Sequence, residues 1–233
     1  MKSHLKRLPA PRSWSIQRKG LTYITRPLPG KHSIERGMPL VEFFKVLVEK
    51  ATTKKEVKKI MYSSKVLVDG AQVKEEKYLV GLMDVISLEG SKEHYRLLLN
   101  SGGELFALAI PAKEASLKPV QIIGKTLLAK GKIQLNMGDG RNLLVDKNAY
   151  TVGDTLLLEL PKQAIKEHFA YAKGALAYFT GGRFVGKTGT IEDIKDNRII
   201  CKVDGNVVET MKHFAYIIGK GKSSISLEEG KKE

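Results

Sequence analysis

Short apolar segments separated by glycine-containing turns dominate the sequence after residue 93. The first group comprises HYRLLLN, ELFALAIP, KIQLN, NLLV and LLLELP, with SGG and MGDG among the intervening turns. The second group begins at residue 174 and comprises ALAYF, GTIEDI, RIICKV, NVVETM and YIIG. Apolar segments of this length between turn residues predict β-strands, with one short helix expected after Pro161. We therefore predict a mostly antiparallel central β domain over residues 94–173 and a small barrel over residues 174–219.

A different pattern precedes these strands and predicts two short helices. Six apolar residues recur with the spacing of one helix face: Leu40, Phe43, Phe44, Leu47, Val48 and Ala51. Thr53 and Glu56 then have the spacing of a capping box, which begins a second helix. KVLVDGAQV follows as a strand that bends at Asp69 and Gly70, and residues 78–88 supply further strand. Helix, helix and small sheet form one compact domain over residues 37–93.

The second predicted helix carries four lysines: Lys54, Lys55, Lys58 and Lys59. They form two like-charge pairs at a spacing of four residues, which destabilises an isolated helix by a few tenths of a kcal/mol per pair. An external anion such as an RNA phosphate would relieve this repulsion. The alternative interpretation is a lysine face that serves only solubility, and the sequence leaves both open.

The first 36 residues hold nine basic residues and one acidic residue, more than half of the chain's net charge of +15. Four prolines keep this segment out of helices: Pro9, Pro11, Pro27 and Pro29. We predict an extended basic arm that binds RNA phosphates, with base stacking by Trp14 and Tyr23. The RNA-binding candidates in the arm are Lys2, His4, Lys6, Arg7, Arg12, Trp14, Arg18, Lys19, Arg26 and Lys31. The alternative is a disordered basic tail in which Trp14 packs against the next domain.

Composition restricts the remaining function classes. The net charge favours polyanionic partners, nucleic acid first and an anionic membrane second. Cys201 is the single cysteine, which excludes an intramolecular disulfide, and the five histidines lack metal-ligand spacing. The sequence has neither a secretory signal nor an apolar run of about 20 residues. We expect a cytoplasmic protein without membrane contact, metal site or catalytic residues, with a polar tail over residues 220–233.

One segment of the chain matches a nucleotide-binding motif. Gly181, Gly186, Lys187 and Thr188 match the phosphate-loop motif, which needs a helix directly after it. Strand-forming residues follow Thr188 instead, so we expect no nucleotide cofactor. Gly182, Gly186, Lys187, Gly189 and Ile191 instead resemble the KOW motif of small SH3-like barrels. That resemblance implies RNA contact by Arg183, Phe184 and Lys187, unless the glycines serve only tight turns.

Two further resemblances concern larger parts of the chain. Thr53-Lys54-x-Glu56-Val57 and Val66-x-Val68-Asp69-Gly70 resemble the S-four-type RNA-binding domain, with Thr-Lys and Val-Asp-Gly where that family has Ser-Arg and Val-Asn-Gly. The whole chain resembles the small-subunit ribosomal protein S-four-e family of archaea and eukaryotes. The motifs include His4-Leu5-Lys6-Arg7-Leu8, Ile123-Gly124-Lys125-Thr126 and Asp139-Gly140-Arg141-Asn142, and Arg141 joins the RNA-binding candidates on this basis.

The family resemblance implies an α+β multidomain protein that is a constituent of the small ribosomal subunit. It implies binding to ribosomal RNA and to neighbouring ribosomal proteins, as a monomer within the ribosome, without catalysis or cofactor. Two other hypotheses stay open at this point. One is an RNA-modifying enzyme that uses the helix pair for docking, and the other is a transcription-elongation protein that uses the KOW-like barrel.

Overall fold

The computed structural model describes residues 4–146 and 148–227. These form two compact units, one of residues 4–99 and 103–116 and the other of residues 100–102 and 117–227. Every strand pair in both units is antiparallel. The predicted class, a multidomain α+β protein with mostly antiparallel strands, is confirmed.

The first unit contains both helical segments. Its elements in order are β1 (Leu5–Lys6), β2 (Tyr23–Ile24), a 3-10 turn (Ile34–Arg36), β3 (Gly37–Pro39), α1 (Leu40–Glu42), a π-helical turn (Phe43–Leu47), α2 (Lys54–Ser63), β4 (Val66–Val68), β5 (Ala71–Gln72), β6 (Leu79–Gly81), β7 (Val85–Leu88), β8 (Glu93–Leu99) and β9 (Leu105–Ile110). β1 pairs with β2, β3 pairs with β6, and the remaining strands form one sheet in the order β5-β4-β7-β8-β9.

The two helical segments differ in how well the sequence predicts them. The capping box of α2 is confirmed, because Thr53 Oγ1 accepts from the Glu56 backbone N–H and the Glu56 carboxylate accepts from the Thr53 N–H. The first segment ends at residue 47, four residues earlier than the apolar spacing predicts. Its second half is a π-helical turn, and Glu49 then has a φ of 54°, which is incompatible with a continuing helix. Ala51 is buried outside the helix.

The predicted boundary at residue 93 is wrong. β8 and β9 belong to the sheet of the first unit, where β8 pairs with β7 and β9 pairs with β8. The glycine turns of this region mark hairpins within one sheet and do not mark a new domain. The predicted bend at Asp69 and Gly70 is confirmed, since both have positive φ (52° and 77°) in the two-residue turn between β4 and β5.

The arm is attached to the first unit by buried contacts. The Trp14 side chain is 1% exposed, and its Nε1–H donates to the Gly37 carbonyl at 2.7 Å. Ser13 O accepts from the Leu105 N–H at 2.7 Å. The prediction that Trp14 stacks on RNA bases is therefore wrong, because a buried indole cannot reach a base. The packing of Trp14 against the next domain is confirmed, but the disordered tail of that alternative is wrong, because β1 and β2 of the arm pair with each other.

The second unit consists of two sheets. Its elements are β10 (Leu117–Leu127), a 3-10 turn (Ala129–Gly131), β11 (Ile133–Met137), β12 (Asn142–Val145), β13 (Thr155–Glu159), β14 (Ala164–Phe169), β15 (Ala175–Phe179), β16 (Thr188–Lys195), β17 (Arg198–Val203), β18 (Asn206–Met211), a 3-10 turn (Lys212–Phe214), β19 (Ala215–Lys220) and β20 (Lys222–Ser223). The sheet orders are β12-β11-β10-β13-β14 and β18-β17-β16-β15-β19-β20.

All five strands predicted after residue 174 are present, but three other features of the second unit differ from prediction. A strand, β14, follows Pro161 where we predicted a helix, because residues 164–169 pair with β13. β10, the longest strand, was not predicted, since Pro119 and Gly124 interrupt its apolar pattern. The start of the expected polar tail is folded, with β20 paired to β19 and Ile225 buried, and residues 228–233 lie outside the described part.

Candidate nucleic-acid interface

A cleft in the first unit brings cations from the arm and from the helical region together. The cavity has a volume of about 310 Å³ and an open mouth. We call it the cationic cleft. Its polar and aromatic lining consists of His4, Arg7, Tyr23, Thr25, Arg26, Glu42, Lys45, Lys54 and Lys77. Four of these were predicted RNA-binding residues (His4, Arg7, Arg26 and Lys54), and the structure places them around one space although up to 50 positions separate them in sequence.

Tyr23 supplies an exposed aromatic surface at this cleft. Its side chain belongs to β2 and is 57% exposed, and its ring centroid lies 5.7 Å from that of His4. β1 and β2 pair directly at this point, with Lys6 opposite Tyr23. An exposed ring beside cations can stack on an unpaired base while the cations contact the flanking phosphates.

A buried carboxylate divides the lysine face of α2 into two unlike pairs. Lys54 Nζ lies 2.5 Å and Lys58 Nζ 3.4 Å from the two carboxylate oxygens of Glu76, which is 6% exposed. Burial raises the pKa of Glu76, but hydrogen bonds and charge from Lys54 and Lys58 outweigh it, so the net pKa is lowered. Within the described part of the chain, Lys55 and Lys59 have no ion-pair partner. We had expected an external anion to relieve the repulsion within both lysine pairs. Glu76 relieves it for Lys54 and Lys58 only.

Several arm cations form hydrogen bonds or ion pairs with the protein's own groups. The Arg18 guanidinium donates to the carbonyls of Ala10 (2.5 Å) and Pro11 (2.8 Å), and Arg7 donates to the carbonyl of Gln17 at 2.9 Å. Lys31 lies 3.5 Å from the buried carboxylate of Asp69. The remaining described candidates of the arm are exposed and belong to its surface, namely Lys6, Arg12 and Lys19. Lys2 lies outside the described residues.

Arg141, a predicted RNA-binding residue, is partly buried beside a carboxylate. Its side chain is 12% exposed, with Nε 3.3 Å from Asp139 Oδ2, and Lys118 approaches the same oxygen at 3.2 Å. Lys118 and Asp139 are themselves buried. Arg141 is therefore part of an ion-pair network with Asp139 and Lys118, and its RNA contact stays a prediction.

The glycine loop of residues 181–187 joins β15 to β16. Gly182 and Gly186 both have a φ of 77°, and a Cβ added to Gly181 would lie 2.4 Å from the Phe214 ring. These glycines thus have turn and packing roles. Lys187 Nζ lies 2.6 Å from Asp204 Oδ2, and the Arg183 guanidinium carbon lies 6.0 Å from the Phe184 ring centroid. Thr188 begins a strand, so the loop lacks the helix N-terminus with which a phosphate loop binds nucleotide.

No side chain arrangement in the described ranges suggests catalysis or metal binding. Burial raises the pKa of the Cys201 thiol to about 11, with a smaller contribution from the charge of Glu192, so the thiolate is not populated at neutral pH. Residues 4–146 and 148–227 contain no cluster of three or more possible metal ligands. They also contain no helix long and apolar enough to cross a membrane.

Sequence reasoning missed two cations of the cleft. Lys45 follows the first helical turn and lies 3.8 Å from Glu42, and Lys77 lies in the loop before β6. Neither belongs to a motif, and Lys77 ends the mixed-charge run Lys74-Glu75-Glu76-Lys77, so only their spatial neighbours identify them. The sequence signal that could have identified these two lysines is weak, since lysines are common on a basic protein.

These features define a class, that of basic, β-rich multidomain proteins without an evident active site, as ribosomal proteins often are. The family models agree: "Ribosomal family S4e" matches residues 91–165 and "RS4NT (NUC023) domain" matches residues 1–35. The chain belongs to the ribosomal protein S4e family. The resemblance found in the sequence is thereby confirmed, and so is the prediction that the chain is not an enzyme.

Curated relatives cover nearly the whole chain. The small ribosomal subunit protein eS4 of Methanocella arvoryzae is 37% identical over 229 residues, 96% of this chain and 97% of the relative. Its counterpart in Methanocaldococcus jannaschii is 38% identical over 240 residues, 97% of this chain and 98% of the relative. The crystal structure of the 30S ribosomal protein S4e from Thermoplasma acidophilum matches with a TM-score of 0.70 and 30% identity, over 83% of this chain and 99% of that chain.

Proposed function

We propose that the protein is a structural constituent of the small ribosomal subunit, in the cytoplasm, and that it holds ribosomal RNA through the cationic cleft. The observation that carries the proposal is the convergence of arm and helix-region cations around the exposed ring of Tyr23. The family membership supports the ribosomal location, because the relatives are named as proteins of the small subunit. Neighbouring ribosomal proteins are further partners, and the chain acts as a monomer within the ribosome.

The cleft chemistry suits an RNA strand with an unpaired base. Phosphates of such a strand would lie near Arg26 and Lys77, and the base would stack on Tyr23. Lys55 and Lys59 extend the positive surface along α2, since both are exposed and lack an internal carboxylate partner among the described residues. The binding energy of these cations comes from release of counterions from the RNA and falls as salt rises.

The individual domains contribute different parts of this function. Residues 37–93 act as an S-four-type RNA-binding module, extended here by β8 and β9. The six-stranded sheet of β15–β20 acts as an SH3-like barrel whose KOW-like loop makes a secondary RNA contact through Arg183 and Lys187. Two observations support this assignment: Arg183 is exposed, and the loop connects two neighbouring strands of the sheet.

Rebinding to small subunits tests the proposal. The full chain is added to small subunits stripped of their native copy, and association is followed by sedimentation in rising salt. The wild type is expected to co-sediment in moderate salt, and Tyr23→Ala with Lys77→Gln is expected to dissociate at lower salt. Lys162→Gln, which changes an exposed lysine that does not line the cleft, is the matched control. A wild-type chain that stays free of the subunits would refute the proposal.

A further inference from the structure

The outward face of β10, β11 and β12 carries uncharged polar side chains. The register places Thr126 opposite Gln134, Gly124 opposite Asn136, and Asn136 opposite Asn142. Gln134 Nε2 donates to Asn136 Oδ1 at 2.8 Å, and Asn136 Nδ2 donates to Thr126 Oγ1 at 3.1 Å. We call these residues, with Leu144 opposite Gln134, the amide face. It consists of Thr126, Gly124, Gln134, Asn136, Asn142 and Leu144.

The amide face is the solvent side of a sheet whose other side is core. Ile122, Ile133, Leu135 and Met137 alternate with its members and form a buried cluster. No member of the amide face is charged, although 28% of the chain is charged and the nearby strand β14 exposes Lys166 and Glu167. Solubility alone would be served by charged residues at these positions.

Gly124 lies within this face and has no side chain to cover the backbone there. A Cβ added there would meet only the Asn136 side chain, at 3.6 Å and 3.9 Å, and the φ of Gly124 is not positive. Neither local packing nor backbone conformation therefore requires glycine at this position. Glycine within a strand often marks a place where another molecule approaches the backbone closely.

We infer that the amide face binds the minor groove of an RNA duplex, and this inference rests on the proposed function. That groove is wide and shallow and displays 2′-hydroxyls, which both donate and accept hydrogen bonds. Side-chain amides also do both, whereas lysines only donate. A protein partner fits less well, because the cores of protein interfaces are apolar and Leu144 is the one large apolar member of the amide face, with exposed Ile123 and Leu127 beside it on β10.

The test measures binding of the full chain to an RNA duplex of about 16 base pairs and to a DNA duplex of the same sequence. Asn136→Ala with Asn142→Ala is expected to weaken RNA duplex binding about tenfold, since two or three neutral hydrogen bonds are lost. The dependence of affinity on salt and the affinity for DNA are expected to stay unchanged. Asn206→Ala, an exposed asparagine on the other sheet of the same unit, is the matched control.

Gly124→Val provides a second variant that does not depend on removing hydrogen bonds. Valine suits a strand and fits beside Asn136, so the fold is expected to be kept while the duplex is held away from the sheet. Equal losses for RNA and DNA, or unchanged RNA affinity in both variants, would overturn the inference. If the wild type binds the RNA duplex and both variants bind it equally well, this inference fails and the proposed function stands. A wild type without RNA affinity would instead refute the proposed function.

Discussion

Four residues of the cationic cleft and two of the glycine loop of residues 181–187 were predicted to bind RNA, and the structure arranges the two regions differently. Around the cleft, buried Glu76 holds Lys54, and buried Trp14 attaches the arm that supplies His4 and Tyr23. In the loop, Lys187 pairs with Asp204, whose side chain is 66% exposed. Both regions are basic in sequence, but only the cleft gathers several cations around one space.

In both regions the availability of a lysine for RNA depends on whether a carboxylate lies beside it. A lysine with no acidic partner offers its full charge to RNA, whereas a lysine in an ion pair must first separate from its partner. A buried carboxylate such as Glu76 also makes its lysines part of the fold, because their removal leaves an uncompensated charge. Charge counted along the sequence does not separate these cases.

Trp14→Ala is expected to have the largest effect, since it removes the anchor of the arm. Loss of a buried indole typically costs about 4 kcal/mol in the free energy of unfolding. Urea unfolding of the full chain measures it. Trp14→Phe keeps most of the ring volume but loses the hydrogen bond to the Gly37 carbonyl, so a smaller loss is expected. If Trp14→Ala leaves stability unchanged, the arm is not held as the structure shows.

The two lysine pairs of α2 offer a matched comparison of stability. Lys54→Gln with Lys58→Gln is expected to lower the free energy of unfolding by about 2 kcal/mol, because the buried Glu76 carboxylate loses its charged donors. Lys55→Gln with Lys59→Gln is expected to raise it by a few tenths of a kcal/mol, since only repulsion is removed. Equal effects of the two double variants would contradict the role given to Glu76.

Single charge removals compare the cleft with the loop in RNA binding. Lys77→Gln is expected to reduce the slope of log affinity against log salt by about 0.7 for a single-stranded probe, the value for one phosphate contact. Lys187→Gln is expected to change the slope less, because Asp204 already neutralises that lysine. Asp204→Asn is expected to raise affinity by freeing Lys187. A larger effect of Lys187→Gln than of Lys77→Gln would reverse the ranking of the two regions.

The smallest expected effect concerns pH. The pKa of Glu76 is lowered in the folded state, so its contribution to stability is fully present above the unfolded pKa of about 4.3. That contribution is lost as pH falls through the lower folded pKa. In Lys54→Gln with Lys58→Gln, burial acts alone and raises this pKa, so the titration moves to higher pH. Unfolding measured between about pH 3 and pH 7 tests this. An unchanged profile would contradict it.

The features predicted well are those that depend on near neighbours in sequence. The capping box of Thr53 and Glu56, the turn at Asp69 and Gly70, and the five strands after residue 174 follow from local spacing and turn chemistry. The features predicted poorly depend on distant pairing. The domain boundary near residue 93 and the strand β14 were missed because strand pairing outweighs local propensity.

The sequence by itself determined the family, the basic arm, the positions of most strands and the absence of a recognisable catalytic motif, since these depend on composition and short-range order. Only the tertiary structure decided which cations are available. It buried Trp14, paired Arg141 with Asp139, placed Glu76 beside Lys54 and Lys58, and aligned three strands into the amide face. The physical reason is that the strength of a charge or a hydrogen-bonding group depends on burial and on partners, which residues distant in sequence supply.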